Sequence, residues 1–163
     1  MGSDGDDLIS GGGGNNTIHG GIGNDILRVE DYSRTSDRGK NVLYGDAGND
    51  TLIAGNGDDT LFAGAGDDIL YAVQAKKGQV SSHRFNGGEG RDTFIIGNAF
   101  YVIEDFNPSQ DSITRASSLQ PGTNMQAEQM GSNVRITMES SSSKSFTDVL
   151  DANVDDVTNS LGI

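Results

Sequence analysis

Nine-residue units of the form Gly-Gly-x-Gly-x-Asp-x-apolar-x run through the first 95 residues of this chain. Gly20-Gly21-Ile22-Gly23-Asn24-Asp25-Ile26-Leu27-Arg28 and Gly87-Gly88-Glu89-Gly90-Arg91-Asp92-Thr93-Phe94-Ile95 fill every fixed position. With each unit numbered from one to nine, position eight holds Ile9, Ile18, Leu27, Leu43, Leu52, Leu61, Leu70, Phe85 and Phe94, all large and apolar, and Val102-Ile103-Glu104 continues the series. A flexible glycine linker has no such register and does not return to it after an interruption. The period constrains the chain to short strands joined by tight glycine turns, with one inward side chain per strand filling a two-sided coil.

Two units make one coil of 18 residues, so turns of the same parity stack on the same side. The odd turns are 2–7, 20–25, 45–50, 63–68 and 87–92, and each ends in aspartate: Asp7, Asp25, Asp50, Asp68 and Asp92. Their separations are 18, 25, 18 and 24, which places insertions of seven and six residues on the even side. The even position-six residues are Asn16, Asn41, Asp59 and His83, of which one is a carboxylate. The two sides of the coil are therefore expected to differ in how much cation they hold.

The nonapeptide resembles the repeat of the RTX (repeats-in-toxin) family of hemolysin-type calcium-binding proteins. The resemblance implies an all-β fold, a right-handed parallel β-roll with a C-terminal antiparallel β cap, and calcium held between stacked turns. It implies ligands as well: the carbonyls of positions one and three of one turn, those of positions two and four of the next, and both position-six carboxylates. Carried onto this chain, the first site takes Gly2, Asp4 and Asp7 with Gly21, Gly23 and Asp25. Later sites draw on Gly20, Ile22, Gly45, Asp46, Ala47, Gly48, Asp50, Ala63, Gly64, Ala65, Gly66, Asp68, Gly87, Gly88, Glu89, Gly90 and Asp92. Strands stacked about 4.7–4.9 Å apart suit calcium–oxygen bonds of about 2.3–2.6 Å, because an ion midway reaches oxygens of both turns. About four or five ions are expected on the odd side and at most about two on the even side, where Asn16 and Asp59 are the candidates, for a total of about four to seven. Ser3, Asp46, Ala54 and Ala63 replace turn glycines and put the local backbone angles in question.

Composition agrees with a metal-dependent fold. The chain has 33% hydrophobic residues, 24 glycines and a formal charge of −13, which without counter-ions describes a disordered polymer. Each calcium ion adds two positive charges and relieves carboxylate repulsion. The absence of cysteine excludes disulfides and thiolate metal sites. No stretch approaches the roughly 20 apolar residues of a membrane span, and the charge argues against nucleic acid. The chain opens inside a repeat, as expected of a monomeric module cut from a larger parent protein, secreted or held at the cell surface.

After Ile95 the glycines thin out. Residues 102–113 resemble the Ile-x-Asp-Phe…Asp-x-Ile segment that follows many RTX arrays, and parity puts Asp105 and Asp111 above Asp92, where either can close a fifth site. Alternation over Ser132–Met138 indicates a strand, with Phe146–Leu150 as its partner and Ser140–Ser143 as the loop between them. The division is thus a roll over 2–95, with inserted loops 29–41 and 72–83, and a capping region over 96–163 whose acidic tail resembles a type I secretion signal. Seven of the eleven basic residues, Arg28, Arg34, Arg38, Lys40, Lys76, Lys77 and Arg84, lie in or beside the loops. They make an anionic-polysaccharide surface the second functional expectation, after calcium-driven folding following secretion. Catalysis is not expected: there are two histidines and no Gly-x-Ser-x-Gly or His-Glu-x-x-His arrangement. His19, at position nine, reads as an outward surface residue, and His83 as a plug for the even side.

Overall fold

The computed structural model of the chain describes residues 1–29, 39–72, 81–97, 99–116, 124–130, 133–140, 143–149 and 154–161. Short apolar-centred segments alternate between two sheets. Strands β1 (Leu8–Ser10), β3 (Ile26–Arg28), β5 (Thr51–Ala54), β7 (Ile69–Ala72), β9 (Thr93–Ile96) and β11 (Ser112–Arg115) form a six-stranded parallel sheet in that order. Strands β2 (Thr17–Ile22), β4 (Val42–Ala47), β6 (Thr60–Ala65), β8 (Ser82–Glu89) and β10 (Phe100–Ile103) form the parallel part of the facing sheet.

Register keeps the position-eight residues in line. Leu8–Ser10 pairs with Ile26–Arg28, so Ile9 lies beside Leu27, and Leu52, Leu70, Phe94 and Ile113 follow in one row. Ile18, Leu43, Leu61, Phe85 and Ile103 make the facing row. Leu27, Leu43, Leu52, Leu61, Leu70, Phe85, Phe94 and Ile103 are wholly buried. Each such side chain contributes about 1.5–3 kcal/mol by leaving water, so the seam is a continuous hydrophobic axis.

The interior is wider than one side chain per strand. Because side chains alternate along a strand, the residue two places after position eight also points inward. On the even side these are Gly11, Val29, Ala54, Ala72 and Ile96, the last four buried. On the odd side the same place is held by Gly20, Gly45, Ala63 and Gly87. From Val29 onward the even interior is filled with hydrocarbon, whereas at Gly20, Gly45 and Gly87 the odd interior has no side chain at this place and admits the aspartate carboxylates instead.

The C-terminal region continues the second sheet. Strand β14 (Ser143–Val149) pairs parallel with β10, and β13 (Asn133–Ser140) and β12 (Asn124–Met130) follow in antiparallel order. An all-β parallel roll with an antiparallel cap is therefore observed. Helix α1 (Val154–Leu161) completes it: Val157 is wholly buried, Leu161 packs on the core, and the helix lies against β11 and β12. Asp155 and Asp156 in its first turn favour the helix dipole. Among the described residues no helix is long and apolar enough to cross a membrane.

Candidate metal centre

The odd turns form a column of carboxylates held in one orientation. The backbone N–H of each position-six aspartate donates to Oδ1 of the aspartate one coil later: Asp7 to Asp25, Asp25 to Asp50 and Asp50 to Asp68 at 2.7 Å, then Asp68 to Asp92 and Asp92 to Asp111 at 3.0 Å. Asp25, Asp50, Asp68 and Asp92 are each 1% exposed. Their Oδ2 atoms are buried and accept no hydrogen bond. An ionised oxygen in that state is costly to keep without a partner.

Other oxygens approach the same places. A Cβ built on Gly20 would fall against Oδ2 of Asp25 and 2.7 Å from the carbonyl oxygen of Gly45; one on Gly45 would meet Oδ2 of Asp50 and the carbonyl of Ala63. On Gly87 it would meet the carboxylate of Asp92. Alanine at position 63 puts a methyl group in this place. Positions two and four are the turn residues with positive φ: Gly21 at 120°, Gly23 at 136°, Gly48 at 130°, Gly64 at 117°, Gly66 at 144°, Gly88 at 94° and Gly90 at 132°. Side chains at Gly48, Gly66 and Gly90 would collide with the carbonyl oxygens of Gly23, Gly48 and Gly66. Of the non-glycine substitutions, Asp46 adopts a positive φ of 77°, whereas Ser3, Ala54 and Ala63 keep negative φ.

Burial raises the pKa of three carboxyls in the middle of the column. It pushes Asp50 up to about 6, with the charges of Asp25 and Asp46 adding to it, and Asp68 up to about 7, helped by Asp92 and Asp50. Asp92 is pushed up to about 6, first by burial and then by Asp111 and Asp105. Oxygen-only donors, orphaned lone pairs and like charges suit a hard cation. Among the described residues no three carboxylates or histidines converge on one point.

The ends of the column differ from its middle. Asp7 is half-buried, and its Oδ2 accepts the Ser3 N–H at 2.8 Å. At the far end Asp111 accepts the N–H groups of Asp92 and Asn107, while Asp105 accepts those of Gly87 and Gly88 at 2.9 and 2.7 Å. Both therefore lie beside Asp92.

The even side is satisfied differently. Asn16 donates its side-chain N–H to Oδ1 of Asn41 at 2.9 Å, and Asn41 donates to Oδ1 of Asp59 at 2.7 Å. The amide nitrogen does what a cation would do for a carboxylate. His83 is wholly enclosed, and burial lowers its pKa to about 4.

Two features escaped the sequence reading. Position five carries its own outer column: the N–H groups of Asn24, Asn49, Asp67 and Arg91 donate to the side chains of Asp6, Asn24, Asn49 and Asp67 at 2.8–2.9 Å. Its signal was the run of Asp and Asn at that position. The second concerns His19, which is half-buried rather than a bare surface residue. Its ring stacks on Tyr44 at 4.4 Å, Tyr44 stacks on Phe62 at 5.2 Å, and its Nδ1 lies 3.2 Å from Asp46. Of the loop cations, Lys40 pairs with Asp58 at 3.7 Å and Arg84 with Glu104. Arg34, Arg38, Lys76 and Lys77 lie outside the described residues.

The family model for the RTX calcium-binding nonapeptide repeat, in four copies, matches residues 1–29 and 35–70. Residues 1–29 and 35–70 therefore carry RTX repeats. These RTX repeats bind calcium as a family and build a β-roll here. Across 99% of its length the chain is similar to extracellular lipase LipA from Serratia marcescens, with 16% identity and a TM-score of 0.47, and it spans 39% of that lipase chain. It is also similar to the AlgE6R3 subunit of the Azotobacter vinelandii mannuronan C5-epimerase, with 24% identity and a TM-score of 0.35, covering 99% of this chain and 80% of that one. A search of curated proteins returns no match.

Proposed function

We propose that this chain is the calcium-binding RTX module of a larger secreted protein, and that calcium drives its folding after export and stabilises its parent. The single observation that carries the reading is the column of buried, unpartnered Oδ2 atoms on Asp25, Asp50, Asp68 and Asp92. In this reading about four or five ions lie along the odd side, each between two aspartates, with carbonyls of the intervening glycine turns completing the shell. Asp105 and Asp111 serve the last gap. Each inner aspartate borders two ions, so filling one gap orders half of the next and loading is cooperative. The even side, closed by asparagine amides and by Val29, Ala54, Ala72 and Ile96, takes no calcium. We place the module's boundary with its cap near residue 96, and we assign it no catalysis.

Extracellular calcium modules bind with dissociation constants of about 10⁻⁴–10⁻³ M, which keeps such a chain unloaded inside a calcium-poor cell. Limited proteolysis tests this. At sub-micromolar calcium the repeat region should be cut rapidly, and at millimolar calcium it should resist, with magnesium unable to substitute. Equal resistance in both conditions would remove the folding role.

A further inference from the structure

Position one of the odd turns is glycine at Gly2, Gly20, Gly45 and Gly87 and alanine at Ala63. What the missing side chain would meet repeats from coil to coil. A Cβ on Gly2 would fall against the carbonyl oxygen of Gly20 and 2.7 Å from Oδ2 of Asp7. On Gly20 it would fall against Oδ2 of Asp25 and 2.7 Å from the carbonyl oxygen of Gly45, and on Gly45 against Oδ2 of Asp50 and the carbonyl oxygen of Ala63. The position-one Cβ therefore aims between the aspartate of its own turn and the backbone of the next, in the gap where a cation would meet both. Ala63 is wholly buried, and the pairing of Phe62 with Asn86 and of Gly64 with Gly88 sets it beside Gly87. Its methyl group thus enters the gap between Asp68 and Asp92, whose Oδ2 atoms are both buried and unpartnered. The N–H link across that gap measures 3.0 Å, against 2.7 Å across each of the three earlier ones. The link from Asp92 to Asp111, where the repeats give way to the cap, is also 3.0 Å.

We infer, resting on the calcium column proposed above, that Ala63 makes the gap between Asp68 and Asp92 the weakest calcium site of the odd side and the last to fill. Calcium takes about six to eight oxygen ligands, and its affinity follows the ligands a site supplies and how rigidly it holds them. A methyl group among those oxygens offers no ligand and occupies room that a glycine turn leaves for a carbonyl or a water. The two orphaned carboxylate oxygens remain, so the site is weakened rather than removed. Loading then has a break in it: the turns from Asp7 to Asp68 fill as one block, and the link to Asp92 closes at higher calcium. Ala54 holds the matching place on the even side, where asparagine amides close the column, and has no such effect.

Calorimetric titration of the whole metal-free chain with calcium, beside equilibrium dialysis to count the bound ions, tests this. The parent chain should take up all but one ion in a first transition and the last at about tenfold higher calcium. Ala63→Gly should bring that ion into the first transition with the total unchanged, whereas Ala54→Gly should leave the two-step curve as it is. Gly87→Ala is the reciprocal variant. The nearest atoms to its new Cβ all belong to the Asp92 side chain in its own turn, so it should move a second ion into the late step. That arm stands even if Ala63→Gly fails to fold. A single transition in the parent chain, or a late step that neither variant alters, would overturn the inference while calcium binding itself stands. No bound calcium in the parent chain would overturn the calcium column as well.

Discussion

Asn41 and Asp68 occupy equivalent places in their turns and differ at one atom: a nitrogen that donates to Asp59 in the first, an oxygen with no donor in the second. Asparagine at Asp50 or Asp68 should therefore remove buried charge and supply a donor, stabilising the metal-free roll by about 1–2 kcal/mol. The same variants should bind at least one calcium fewer by equilibrium dialysis, and without metal should show more β-sheet circular dichroism than the parent chain. A carboxylate whose pKa is raised by folding stabilises the fold when protonated. That stability is fully present below the unfolded value of 3.8 and is lost as pH rises through about 6–7 for Asp50, Asp92 and Asp68. Metal-free protein should gain β-sheet circular dichroism between pH 8 and pH 5. Calcium competes with the same protons, so its affinity should fall over that interval. The position-six aspartates were legible because they recur at fixed register. The inward role of position one was not: glycine, alanine and valine there look like ordinary turn variation until strand alternation shows that they set whether a turn is hollow or filled.

At the scale of the elements, the strands rest on the axial seam and the last coil on its cover. Leu61→Ala leaves a gap in a row of wholly buried residues and should cost about 2–5 kcal/mol in calcium-saturated unfolding. Val157→Asp would put a charge where α1 meets the core. It should uncover the end of the roll and cause concentration-dependent association, seen by light scattering, with the calcium count unchanged. Strand β13 and its partner β14 were legible from alternation around Val134–Met138 and Phe146–Val149. Strand β12, with the sequence NMQAEQM, has too few apolar residues to announce itself. Helix α1 is eight residues of mostly polar composition, and its amphipathic spacing, Val157 to Leu161, is one turn long. Both are specified by the surface they cover rather than by their own propensity.

Across the whole molecule, a net charge of −13 opposes compaction until cations enter the odd column. The metal-free chain near neutral pH should therefore be expanded. For a chain of 163 residues the radius of gyration should fall from about 40 Å toward about 15 Å on loading, as small-angle scattering can record. Both insertions fall on the even side, where the turns are closed by amides and hydrocarbon, so the odd column stays uninterrupted from Asp7 to Asp111. The central claim is that calcium occupies one side of the roll. Anomalous diffraction from crystals of the calcium-loaded protein locates the ions directly. The account predicts a row of peaks between Asp25, Asp50, Asp68 and Asp92, with none among Asn16, Asn41 and Asp59. Calcium peaks on the asparagine side, or an empty aspartate column, would contradict it.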